Sequence, residues 1–367
     1  MEPITHLLTG AAMARTGLNR KTALATLTLV VAAEAPDIDV IAYLRGPVYG
    51  FAHHRGITHS FVGAPFVAAL VVAVVYAFYR LRKPRGPAKK PGDDHIPNAP
   101  PPAPRWGLLY GFALLGVLSH ILLDFTNAYG VRLFEPFSYR WYSWDIVSIV
   151  EPLLYVALLA GLLLPALFGL INEEVGARKK AARGGVGAVL ALVGVALVWG
   201  VRDYEHRRAV AAMESVVYRG AEPLKVGAYP YMVNPFRWYG VAETRNFFER
   251  VEVDSSTPEV DPEGRGEIRY KPEQGAAALA AKQTYLGRVY LDWAKFPITE
   301  VDPQSGPEGG YVVHFYDLRY AYPDRRQHVL GASVVLDHQL QMVAERFGFR
   351  TQSKRELGDG NGGAGTK

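Results

Sequence analysis

The sequence predicts an α-helical membrane bundle followed by a small soluble α+β domain with a mostly antiparallel sheet. Long uncharged apolar runs are confined to the part of the chain before residue 202, and basic residues gather in short loops between them. After residue 203 the pattern changes to strand-like alternation around a single helical stretch. A hydrophobic share of 49% over 367 residues does not by itself separate a membrane protein from a soluble one; the distribution does.

The opening MEPITHLLTG lacks the basic start of a cleavable signal peptide, so His6 is expected to stay in the mature chain. Residues 3–16 are expected to form a short helix turning at 17–21. At about 18 Å it is too short to span, and as a partial or re-entrant segment it returns His6 to the outer face. A span over 22–44 alone would instead leave residues 1–20 on the opposite side. That 22–44 segment is the weakest candidate, interrupted by Glu34, Pro36, Asp37 and Asp39. Stretches 61–79, 106–123, 146–171 and 185–201 approach the roughly 20 apolar residues needed to cross the hydrocarbon core. The expectation is four or five membrane segments, all within a domain of residues 1–202.

Basic residues cluster at Arg80, Arg82, Lys83, Arg85, Lys89 and Lys90, and again at Arg178, Lys179, Lys180 and Arg183. Short basic loops stay cytoplasmic, so this is expected to be a multi-pass inner-membrane protein whose loops 45–60 and 124–145, and whose domain 203–350, are extracytoplasmic. Residues 84–104, rich in proline, form a linker too poor in apolar residues to pack, and 351–367 is a disordered tail. Strands are expected at 224–233, 247–253, 266–270, 310–320, 328–336 and 341–347, with one helix over 275–293. The net charge of +5 is gathered in loops, which favours membrane topology over nucleic-acid binding. No cysteine is present, so disulfides and thiolate ligands are excluded.

Imidazoles and carboxylates beside apolar runs are costly unless they pair or bind something, and this mixture suits zinc, iron or manganese. His120 and Asp124 stand at i and i+4, on one helix face a turn apart; they are ligands or, in the plainer reading, a hydrogen-bonded pair. Asp37 and Asp39 follow Pro36 at the end of an apolar run. Two such carboxylates repel unless a cation or proton lies between them, although aspartates are also ordinary at helix ends. HHRGITHS brings His53, His54 and His59 together with Arg55 and Gly56; the plainer reading is a loop of solvated histidines. Arg55 is placed to clamp an anionic oxygen such as a phosphate, to bind a lipid headgroup or to neutralise Asp37. Thr58 and Ser60 read as helix caps, and Glu135, Asp145 and Glu151 as interfacial or supporting groups. His95, His206, His314, His328 and His338 lack ligand spacing. The aromatic run YPYMVNPFRWYGV reads as core or membrane-facing surface.

These motifs resemble the YdjM-like family of LexA-regulated, inner-membrane-associated, metal-dependent hydrolases. The resemblance rests on ITH with His6, PDID with Asp37 and Asp39, HRGITHS with His54 and His59, SHILLD with His120 and Asp124, and NAYGVRLFEPFS after them. It covers residues 1–200 and ranks His54 above His53. It implies a membrane-bound hydrolase without fixing its substrate. The expected chemistry is hydrolysis assisted by one or two divalent ions, zinc first and manganese or iron as alternatives, at the outer membrane–water boundary. His6, Asp37, Asp39, His54, His59, His120 and Asp124 are the expected ligands, Asp39 doubling as a bridging ligand or general base and Arg55 serving catalysis. Location and Arg55 point to membrane lipids as partners and to a lipid or phosphoester substrate. The alternatives are a His/Asp-lined metal or proton transporter, with ligands spread along the bundle axis, and a non-catalytic scaffold presenting residues 203–350.

Overall fold

The computed structural model describes residues 1–82, 103–174, 184–304, 309–320, 330–348 and 350–353. The basic loop 178–183, His95, His328, most of the linker 84–104 and most of the tail 351–367 lie outside the described residues. The chain divides into two compact units, Met1–Ile38 with Arg55–Val201, and Asp39–His54 with Arg202–Lys367.

The first unit is helical. Helix α1 (Pro3–Arg15) begins after Glu2, whose carboxylate accepts from Thr5 N, and stops ahead of Gly17, held at φ 117°. Only a residue without Cβ adopts that angle cheaply, so the chain turns where the 17–21 signal places the turn. Helix α2 (Ala25–Glu34) is short and passes into a 3-10 helix over Ala35–Arg45. This corrects the expected 22–44 span: Pro36 removes a backbone donor and disfavours α geometry before it. Helices α4 (Gly63–Arg82) and α5 (Trp106–Phe125) and the long α7 (Gly184–Glu214) are apolar and long enough to cross a membrane; α6 (Pro152–Glu174) is apolar over Pro152–Pro165. Three qualifying helices among the described residues replace the four or five expected.

Helix α2 is the axis of this unit, packed against α1, α4 and α5. Small residues allow the approach: a Cβ on Gly116 of α5 would lie 2.7 Å from Ala32 Cβ and 3.1 Å from the Leu29 carbonyl. Without water to drive apolar association, membrane helices depend on such close contact. Gly116→Leu is expected to destabilise the bundle by about 1–3 kcal/mol or more, the usual cost of overpacking. Gly111→Ala, on the same helix with nothing within 4 Å, should be neutral or stabilising. Thermal unfolding of the two variants in detergent checks this; equal melting temperatures would show that α5 does not rest on α2 there.

The second unit carries two antiparallel five-stranded sheets. One is β1 (Lys225–Pro230), β2 (Arg237–Glu243), β3 (Phe247–Asp254) and β4 (Glu259–Val260), with β5 (Glu267–Tyr270) also paired to β3. Ala209 and Met213 of α7 pack on it against Ala228, Trp238, Val251 and Val253. Helices α8 (Ala276–Gln283) and α9 (Tyr285–Trp293) lead into the second sheet, ordered β10-β9-β8-β7-β6. Its strands are β6 (Pro297–Pro303), β7 (Tyr311–Asp317), β8 (Ala332–Leu336), β9 (Met342–Phe347) and β10 (Arg350–Ser353). The single helix expected over 275–293 is broken at Thr284, extended at ψ 165° with a side chain that accepts from Gly287 N and caps α9. Helix α3 (Pro47–His53) belongs to this unit, not the first, and packs on α9 and β9.

Candidate metal centre

The local chain geometry aims the polar side chains of the first unit at one point. His120 and Asp124 leave the last turns of α5 on the face toward α2, and both are fully buried. His59 ends a 3-10 turn (Ile57–His59) in front of α4, where Ser60 Oγ accepts from Gly63 N and caps the helix. Thr58, also read as a cap, instead contacts His59 Nδ1 at 3.0 Å. Asp37 follows Pro36 on the 3-10 stretch after α2, and His6 comes from the first turn of α1.

One donor atom from each of Asp37, His59, His120 and Asp124 lies within 4.8 Å of the other three. His59 Nε2 is 3.1 Å from His120 Nε2, 3.4 Å from Asp37 Oδ1 and 3.3 Å from Asp124 Oδ2. His120 Nε2 is 3.5 Å from Asp37 Oδ1 and 3.4 Å from Asp124 Oδ2. His6 stacks on His120 with ring centroids 3.7 Å apart, its Nε2 3.5 Å from Asp124 Oδ1. The terminal amino group of Met1 and the Arg55 guanidinium, Nη2 at 2.9 Å, meet that same oxygen. Asp124 therefore faces histidines through both of its oxygens, and Oδ1 also carries Arg55.

Several features fit a cation. His120 Nδ1 stands 2.7 Å from the Ala33 carbonyl, so that nitrogen donates and Nε2 keeps its lone pair for the centre. This outer hydrogen bond is the usual means of fixing a ligand imidazole. Among the described residues neither ring nitrogen of the buried His6 has a hydrogen-bond partner. Such an unsatisfied buried group costs about 1–3 kcal/mol unless something uses it. Burial pushes the Asp37 carboxyl up, but hydrogen bonds with His120 and His59 outweigh it and hold the group well below the usual carboxylate range. Two carboxylates and three imidazoles, all but Asp37 fully buried, form the N/O donor set that divalent zinc, manganese or iron takes.

Arg55 is positioned by its surroundings. At φ 57° it makes a tight turn, donates from Nη1 to Asn127 Oδ1 at 3.2 Å and lies over the Tyr129 ring at 4.7 Å. Asn127 and the Ala33 carbonyl are supports that the sequence reading missed. Asn127 lies one turn beyond Asp124 in NAYG, a signal available in the sequence; the role of a backbone carbonyl has none.

His6, Asp37, Arg55, His59, His120 and Asp124 are thus brought together. Asp39 and His54 pair with each other, Asp39 Oδ1 to His54 Nδ1 at 2.9 Å, in the segment that folds with the second unit. His53 instead contacts the Tyr49 carbonyl and stacks on its ring. Glu135, Asp145 and Glu151 lie in or next to the irregular chain after α5, where Asp145 accepts from Ser143 Oγ and Glu151 from Ser148 N. His206 contacts the Ala228 carbonyl and His314 faces Asp302.

A profile for the family described as "YdjM inner membrane protein" matches residues 1–207, and one for the "YfhP C-terminal alpha/beta plait domain" matches residues 276–357. A Bacillus subtilis (strain 168) protein described as "Uncharacterized protein YfhP" is 26% identical over 136 residues, which cover 37% of this chain. The matched stretch spans 35% of that relative's own length. No solved structure matches the chain.

Proposed function

Since the chain belongs to the YdjM inner membrane protein family, we propose that it is a membrane-bound, metal-dependent hydrolase working at the extracytoplasmic membrane interface on a lipid or phosphoester. The observation that carries this reading is the convergence of Asp37, His59, His120 and Asp124 within 4.8 Å at the end of an apolar helix. These residues would hold a divalent ion, zinc first, with His6 beside them. Such an ion supplies Lewis acidity and an acidified water near neutral pH.

The protein groups have separable tasks. Ala33 holds the His120 tautomer, and Asp124 anchors Arg55. Arg55 puts a permanent positive charge at the centre, suited to the oxyanion of a phosphoester. Orientation follows from the basic loops, which keep the ends of α4 and α5 that carry Arg82 and Trp106 cytoplasmic. The compact cluster supports hydrolysis over transport, because a pathway needs ligands spread along the membrane normal.

Metal-loaded protein is expected to hydrolyse a phospholipid or phosphodiester, with His59→Ala lowering turnover at least about 100-fold, on the scale of losing an electrostatic catalytic group. Product release from a panel of headgroup-labelled lipids and simple phosphodiesters reads it. Intact substrates together with unchanged behaviour of His59→Ala would end the hydrolase reading.

A further inference from the structure

In the second unit the β1–β2 hairpin runs along α7 toward the end of that helix's apolar stretch. Gly240 packs on Met213, His206 Nε2 meets the Ala228 carbonyl at 3.1 Å with its ring beside Trp238, and Arg202 reaches the hairpin tip. From Met213 to Arg202 is about 16 Å along a helix, all of it toward the apolar run that ends at Val201. Arg202, fully buried, donates from Nη1 to the carbonyls of Tyr231 at 3.0 Å and Asn234 at 3.2 Å. The tip 231–236 is therefore tied to the first charged residue after the apolar run of α7, a helix long and apolar enough to cross a membrane.

The composition of that tip is unlike the neighbouring turns. It reads YMVNPF, whereas the β2–β3 connection is TRN and the stretches around β4 read SSTP and DPEGRG. Tyr231, Met232, Val233 and Phe236 are exposed, Met232 at 60% and Val233 at 55%. Its backbone is also largely satisfied from within. Besides the Arg202 bonds, Tyr231 N donates to the Arg237 carbonyl, Asn234 N to the Met232 carbonyl and Phe236 N to Asn234 Oδ1. Backbone entering a low-dielectric layer needs such partners, and aromatic and apolar side chains at a helix exit suit the headgroup boundary.

We propose that the β1–β2 tip is a lipid anchor, dipping Tyr231, Met232, Val233 and Phe236 into the membrane interface where α7 emerges. The inference rests on α7 crossing the membrane and is independent of the metal centre. The anchor fixes the end of the first sheet at headgroup level.

The absence of cysteine allows a direct test. Full-length Met232→Cys, labelled with an environment-sensitive fluorophore and placed in phosphatidylcholine–phosphatidylglycerol nanodiscs, is compared with the same label at Glu263→Cys on a polar turn. Lipids carry a nitroxide near the headgroup end of the acyl chain. Blue-shifted emission and several-fold stronger quenching at position 232 than at 263 are expected, with quenching lost in nanodiscs lacking nitroxide. Equal quenching with red-shifted emission at both positions would overturn the proposal in favour of a wet loop. Blue-shifted emission at 232 without lipid quenching would overturn it in favour of a protein contact. Met232 is exposed, so the labelled chain should fold, and near-ultraviolet circular dichroism verifies that it does.

Discussion

Asp124→Ala is expected to remove the bound metal and loosen the helical unit at once. Asp124 Oδ2 faces His59 and His120 at 3.3 and 3.4 Å, while Oδ1 faces His6 and carries Arg55. Loss of an outer-shell support costs about 10–100-fold in metal affinity, and loss of a shared carboxylate ligand should exceed that upper figure. The substitution also leaves Arg55, 5% exposed, without its carboxylate. Breaking a buried pair from one side costs about 3–5 kcal/mol. Asp124→Asn keeps the shape and removes the charge, so it should fall between the two. Equilibrium metal titration together with thermal unfolding measures both losses. A variant that binds zinc and melts like the parent would refute the assignment of Asp124 as the hub.

The second large effect is expected just ahead of the HHRGITHS motif, in the core of the second unit. Phe51 on α3 is 1% exposed, its ring 4.2 Å from Phe347, 5.3 Å from Trp293 and 6.2 Å from Tyr290. Phe51→Ala should destabilise the second unit by about 3–5 kcal/mol, the range for truncating a core phenylalanine; Phe51→Leu, closer in volume, should cost less. Denaturant unfolding followed by tryptophan fluorescence reads the change, with Trp293 as the adjacent reporter. A loss below about 1 kcal/mol would mean that α3 is not part of that core. The same packing gives the 39–54 segment a place: it leaves the first unit just after Asp37 and returns just before Arg55, folding in between with a partner region that begins at residue 202.

Much of the centre was legible because its chemistry is local in the sequence. The i, i+4 spacing of His120 and Asp124 on an apolar helix, and the Asp37 carboxylate after Pro36, follow from helix geometry and the cost of burying charge. The position of His6 depended on one turn, and Gly17 at φ 117° makes it. The membership of 39–54 was not legible, because Phe51 finds its partners at Trp293 and Phe347, and no periodicity records a contact across that separation. Strand β2 was missed for a related reason. RWYGVAE is buried almost throughout, so it lacks the alternation that marks a half-exposed strand. The missed β6 carries Pro297 and Pro303 at its two ends, residues that argue against a strand in sequence and are tolerated at its termini. The break between α8 and α9 did have a signal, the capping Thr284 in QTYLG.

The central claim is that the first unit holds a divalent ion between Asp37, His59, His120 and Asp124. Elemental analysis with X-ray absorption at the metal edge, on full-length protein purified without chelator, tests it most directly. One or two divalent ions per chain are predicted, with nitrogen and oxygen ligands at about 2.0–2.2 Å, both signals disappearing in Asp124→Ala. A folded parent protein that carries no metal, and takes up neither zinc, manganese nor iron when offered, would contradict it.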